Sequence, residues 1–248
     1  MKTRSLLLLI ALALTAAHPA RAQDSATTQP QPDRPLPSIR VDREAGFVEI
    51  DAEVVNRDAD WLELLVCAPG SREYESILTS PAKPSHIHLA LIMLGLEPGS
   101  PLDWEHTEEG FDVQPPTGPR LTIQARWQQD GEPRAADANT WIVNQKTDEP
   151  MEGNVWLFAG SSFYEPDEGE PRAGERLYMA DLNGTVISLV NFGDDLLTRP
   201  TTLTNQNDDQ AWSTRTEAIP PEGTAVTLRL APAPEQGDED EGDEGERE

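Results

Sequence analysis

The run Pro84-Ser85-His86-Ile87-His88-Leu89-Ala90-Leu91-Ile92-Met93-Leu94-Gly95-Leu96-Glu97-Pro98-Gly99 carries its own start signal, apolar middle and stop signal. Pro84 cannot occupy a helix interior, Ser85 is a good N-cap acceptor, Gly95 accepts a left-handed C′ conformation, and Pro98-Gly99 prevents continuation. Between these marks apolar side chains point in nearly every direction around the axis, which predicts one buried helix over about Ser85–Leu96. A helix with no wet face needs other elements around it, and the rest of the chain offers strands.

Val48, Ile50, Ala52 and Val54 alternate with Glu49, Asp51 and Glu53, as in a strand with one wet face. With Ile39-Arg40-Val41-Asp42 before the turn at Arg43 to Gly46, this reads as a hairpin. Trp61 to Cys67 is apolar on both faces and reads as a central strand. Leu121 to Trp127, Trp141 to Val143, Val155 to Gly160 and Thr224 to Leu230 supply further strands. Leu177 to Ala180 and Val186 to Val190 flank Asn183-Gly184, a type I′ hairpin signal. Ser100 to Pro119, rich in Pro, Gly and acids, reads as a long loop. The predicted fold class is therefore α+β: a mainly antiparallel β-sheet or sandwich-like domain with one packed helix.

Met1 to Ala22 has the form of a secretory signal, with Lys2 and Arg4, an apolar run from Leu6 to Ala17, and Ala20-Arg21-Ala22 as cleavage site. A secreted or periplasmic product cleaved near Ala22 is expected. Residues 23–36 read as a Pro/Gln-rich linker, 37–231 as the folded domain with 37–99 and 119–231 as its candidate lobes, and 232–248 as an acidic disordered tail. No later segment is long and apolar enough to span a bilayer.

The chain has 45 acids against 19 bases, a formal net charge of −26, which opposes nucleic acid and anionic membranes as partners. From Glu235 to Glu248 there are nine acids and one base, the composition of a solvated end. Cys67 is the single cysteine, so no intramolecular disulfide can form and stability must come from a hydrophobic core.

The segment Trp61 to Gly99, above all Glu75-Ser76-Ile77-Leu78 and Pro84 to Gly99, resembles the YdjY-type domain of secreted bacterial proteins. Trp156 to Phe163 and Ala180-Asp181-Leu182-Asn183-Gly184 are similar to the second half of longer members. The resemblance implies no activity or catalytic residue that can be carried over.

Candidate chemistry centres on few residues. A His-x-His sequence can chelate a transition metal on a strand, but with Ser85 as cap, His86 and His88 point apart on a helix. A structural pair bonded to backbone or to a carboxylate such as Glu75 ranks first. Cys67 would complete a soft copper or zinc set with His86 and His88, although a buried thiol ranks ahead of a reactive one. Glu75 and Ser76, beside Glu73 and Tyr74, form a polar cluster in which carboxylates could do acid–base work. No Gly-rich phosphate loop, nucleophile elbow or zinc-type Cys/His quartet is present. The leading expectation is a secreted, non-enzymatic binding or structural module for a protein or small ligand. A copper- or zinc-binding protein using Cys67, His86 and His88 is the alternative, and a hydrolase-like enzyme using Cys67 or Ser76 with His88 comes third.

Overall fold

A computed structural model describes residues 36–107, 110–206 and 211–234. The expected signal segment, the linker up to residue 35 and the acidic tail from residue 235 lie outside the described residues.

In chain order the elements are β1 (Ile39–Asp42), β2 (Phe47–Val54), β3 (Leu64–Cys67), β4 (Ser76–Thr79), α1 (Pro84–Met93), β5 (Asp103–Thr107), β6 (Gly110–Gln114), β7 (Arg120–Gln129) and β8 (Glu132–Asp137). Then follow β9 (Ile142–Asn144), β10 (Trp156–Phe158), β11 (Phe163–Tyr164), β12 (Leu177–Tyr178), α2 (Met179–Asn183), β13 (Thr185–Ser188), β14 (Leu197–Thr198), β15 (Trp212–Thr214) and β16 (Ala225–Pro232).

Eight strands close a ring in the order β2-β16-β7-β10-β14-β13-β3-β4 and back to β2. The closing contact is antiparallel, Glu53 opposite Thr79 and Val54 opposite Leu78. β1 and β8 extend the wall outside the ring as hairpin partners of β2 and β7. The expected α+β sheet or sandwich with one packed helix is therefore corrected to a closed β-barrel with two α-helices among the described residues. The physical reason lies in pairing that alternation cannot reveal. Period 2 says which face of a strand is dry, but not whether the sheet curls until its first strand meets its last.

The alternation itself is obeyed. Val48, Ile50, Ala52 and Val54 on β2, Leu121, Ile123 and Ala125 on β7, and Val226, Leu228 and Leu230 on β16 join one buried cluster. β3 is buried at all four residues and lies between β13 and β4, as its two-sided apolar pattern requires. Trp156 and Phe158 on β10 fill the same core. The strands before residues 100–119 (β3, β4 and β2) form one arc of the ring and those after them (β16, β7, β10, β14 and β13) the other, and that segment, expected as a loop, forms the β5–β6 hairpin.

Most ring contacts are antiparallel, but β3–β4 and β13–β14 are parallel. Parallel neighbours cannot be joined by a tight turn, so residues 68–75 and 189–196 cross from one end of the barrel to the other. The helix expected over Ser85–Leu96 forms as Pro84–Met93, with Ile87, Ala90 and Leu91 in the core. It is not enclosed on all sides: Leu89 and Ile92 are 45% and 44% exposed. Nor does Ser85 cap it, since Lys83 is the N-cap and Pro84 the first helical residue.

The Asn183-Gly184 signal also has another outcome. Gly184, φ 73°, ends the short helix α2, and its N–H donates to the carbonyl of Ala180. A type I′ turn and a helix C-cap both demand positive φ, so the dipeptide alone does not choose between them.

Candidate functional site

The predicted residues fall in three separate places. Cys67, at the end of β3, is fully buried and unpaired. Ser76 opens β4, is fully buried, and its Oγ donates to the carbonyl of Leu78 at 2.8 Å. His86 and His88 are both half-buried on α1, roughly 200° apart around its axis. Among the described residues no three His, Cys, Asp or Glu side chains gather as a metal would require, so Cys67, His86 and His88 do not converge.

His88 has a defined setting. Its Nδ1 lies 2.9 Å from Tyr178 Oη and 3.1 Å from the carbonyl oxygen of Gly160, and Tyr178 Oη donates to that same carbonyl at 2.9 Å. Phe158 and Tyr178 meet the imidazole edge to face at 5.0 and 5.6 Å. Gly160 has φ 90°, and a Cβ there would stand 2.5 Å from Pro98 Cβ, so only glycine lets this carbonyl reach both partners. Burial pushes His88 below its ordinary value, opposed by the Gly160 hydrogen bond, and burial raises Tyr178. The ring is thus a neutral, held side chain near neutral pH.

Glu75 belongs to a different cluster, and the structure adds four residues to it. Glu75 and Glu63 are both 7% exposed, and Glu63 N–H donates to the carbonyl of Glu75 at 3.1 Å. Arg72 Nε lies 3.7 Å from Glu75 Oε1. Burial is the largest cause pushing Glu75 up to about 7, and the charge of Glu63 adds to it, while Arg72 opposes both. Arg72 also lies over the Phe192 ring at 4.2 Å and attracts Asp194.

Asp194 accepts from Asn183 Nδ2 at the end of α2, yet burial still raises it. Asp195, fully buried, accepts the N–H groups of Phe192 at 3.0 Å and Gly193 at 3.2 Å on Oδ2. Burial nonetheless pushes Asp195 up to about 6, with neighbouring Asp194 adding to the shift. Arg72 and Glu75 belong to the first crossover, Phe192, Asp194 and Asp195 to the second. The cluster therefore ties the two crossovers together.

Sequence reasoning missed Glu63, Arg72, Asp194 and Asp195. Two signals were present: Glu63 is a lone acid inside Trp61-Leu62-Glu63-Leu64-Leu65, and Asp194-Asp195 runs directly into Leu196-Leu197. Acids embedded in apolar runs are candidates for burial with a partner.

The outward faces of the helices are apolar. Leu89 and Ile92 on α1 and Leu182 on α2 are each more than two-fifths exposed. The helices touch where Ser85 N–H donates to Asp181 Oδ1. Elsewhere, an open groove of about 470 Å³ on the outer wall is lined in part by Glu49, Arg126, Trp127 and Arg134, and includes none of the predicted site residues. No helix of the described residues is long and apolar enough to cross a membrane.

These features define a class: a closed eight-stranded β-barrel domain with two helices packed on it and a carboxyl cluster between its crossovers. The YdjY domain model matches residues 39–231, and the chain belongs to the YdjY family. Neither a curated relative nor a solved structure matches it.

Proposed function

We propose that this chain is a non-enzymatic binding module that acts outside the cytoplasm and docks a basic protein partner through the apolar faces of α1 and α2. The observation that carries the reading is the exposure of Leu89, Ile92 and Leu182 on two adjoining helices whose other sides are packed on the barrel. A contiguous apolar patch left in water marks a contact surface, and these three side chains are carried by two helices that touch. The charge of the chain supplies the chemistry of the partner. A net −26 steers positively charged proteins toward it and repels nucleic acid and a second copy of itself. The signal-like residues Lys2, Arg4, Leu6 to Ala17 and Ala20-Arg21-Ala22 support the compartment.

The test is a photo-crosslinking residue placed at Ile92 or Leu182 in the full chain within its native cells, with Gln128 as control. A discrete adduct with a basic protein is expected from both helix positions and not from Gln128. Its yield should fall toward roughly 1 M salt, where the Debye length is roughly 3 Å. No adduct, an adduct of the chain with itself, or equal labelling from Gln128 would overturn the docking reading. The mass of the exported product, expected to begin after Ala22, tests the compartment.

A further inference from the structure

The loop between β11 and β12, residues 165–176, carries five acids and two arginines, and the two arginines are held differently. Arg172 donates to Glu175 Oε2 from Nε at 3.0 Å and from Nη2 at 2.8 Å. Arg176 is held more loosely: its Nε lies 3.5 Å from Glu165 Oε1, and both side chains are well exposed. Its guanidinium rests over the Phe163 ring, 4.1 Å from the centroid.

That ring differs from the others that carry a cation. Among the described residues arginines also stand over Phe47, Trp156 and Phe192, but the first two rings are buried and the third is half-buried, whereas Phe163 is 51% exposed. An open ring face with a carboxylate beside it is a receptor for a cation, because the ring quadrupole and the carboxylate attract the same charge. Phe163 is also joined to the helical surface. Its ring meets Tyr178 at 5.3 Å, Tyr178 meets His88 of α1 at 5.6 Å, and Ile92 stands one turn beyond His88 on the same side of that helix.

We infer that Phe163 and Glu165 form the receptor for an arginine side chain of the docking protein, and that Arg176 occupies it until that side chain takes its place. The inference rests on the basic-partner reading above and names the contact that selects the charge. Exchange of one guanidinium for another leaves ring and carboxylate both occupied, and Arg176, already at the surface, returns to water at little cost. A partner presenting a neutral side chain there would strip the ring and Glu165 of their cation, which disfavours it. The acids of residues 165–176 draw the incoming charge toward the site.

Titration of the full chain with a capped tetra-arginine peptide tests this, with the ring resonances of Phe163, assigned through Phe163→Leu, as the readout. Those resonances should move on binding. Arg176→Gln should tighten binding about threefold or more, whereas Arg172→Gln, which removes the same charge from the same loop, should tighten it by less than about twofold. Phe163→Leu added to Arg176→Gln should return the affinity to that of the unaltered chain or below. No shift at Phe163, equal effects of the two arginine replacements, or a double variant as tight as Arg176→Gln alone would overturn the inference. The titration needs no native partner: crosslinks from Ile92 and Leu182 without a Phe163 shift would sink the arginine receptor alone, and a shift without crosslinks the helix docking alone.

Discussion

Asp181 holds the start of a helix 96 residues away from it in sequence: its Oδ1 accepts the Ser85 N–H at 2.8 Å while its Oδ2 meets Lys83 Nζ at 2.9 Å. No side chain of α1's own first turn caps it, so a carboxylate from α2 does the work of a capping residue and meets the positive end of the helix dipole.

Replacing Asp181 by Ala should cost about 1 kcal/mol, because the Ser85 donor loses its acceptor and the helix end its anion. For a domain of this size that lowers Tm by roughly 2–4 °C. Lys83→Ala should change Tm far less, since its side chain is 57% exposed and a surface ion pair contributes little. Thermal melts followed by circular dichroism check both, and equal losses would show that the ion pair rather than the cap matters.

Leu91 and Leu89 sit two positions apart with opposite surroundings, 0% and 45% exposed. Leu91→Ala should destabilise by about 2–5 kcal/mol through lost burial and a residual cavity, and Leu89→Ala by about 0.5 kcal/mol or less. Urea unfolding of the two variants measures the difference. Similar losses would mean that the outer face of α1 is covered in solution.

Glu49 is shared by three arginines: Arg229 Nη2 at 2.7 Å and Arg126 Nη1 at 3.2 Å reach Oε1, and Arg40 Nη1 at 2.8 Å reaches Oε2. Burial raises this carboxyl, but the hydrogen bonds from Arg229 and Arg40 outweigh it and hold Glu49 below the ordinary carboxylate value. Its contribution is therefore present at neutral pH and is lost as pH falls through the depressed value. Glu49→Gln should destabilise by about 1 kcal/mol near pH 7, allowing for solvent screening of the part-exposed arginines, and by much less near pH 3. Unfolding curves at the two pH values provide the comparison, with a pH-independent effect counting against the arrangement.

The Cys67 thiol should not react with an aromatic disulfide reagent in the native protein and should react fully once the chain is unfolded, because the residue is 0% exposed. Labelling of the folded chain within minutes would mean that β3 opens locally.

How much of this was legible in the sequence depends on the range of the interaction. The β1–β2 hairpin and the dry faces of β2, β7 and β16 follow from period-2 alternation, and they are found where it puts them. α1 was legible as a helix, but not its wet side: Leu89 and Ile92 look like Ile87 and Leu91 to any hydropathy pattern. Barrel closure was not legible, since nothing local says that Val54 will face Leu78 or that Leu230 will face both Val48 and Ile123. Of the candidate site, Glu75 was visible beside the helix as a polar residue, whereas its partner Glu63 is 12 positions earlier and Asp194 lies beyond half the chain. A buried charge is recognisable from sequence only when something beside it is incongruous. Glu63 among leucines is such a case, and Arg72 in a polar turn is not.

β16, nearly the last piece of the domain to be synthesised, sits between β2, one of the first, and β7. The ring therefore cannot be completed before β16 has been made, and most of its pairings join residues far apart along the polypeptide. Such a topology folds slowly. A product cut short before Ala225 would keep β2 and β7 as two raw edges, the kind of surface on which chains stack into aggregates.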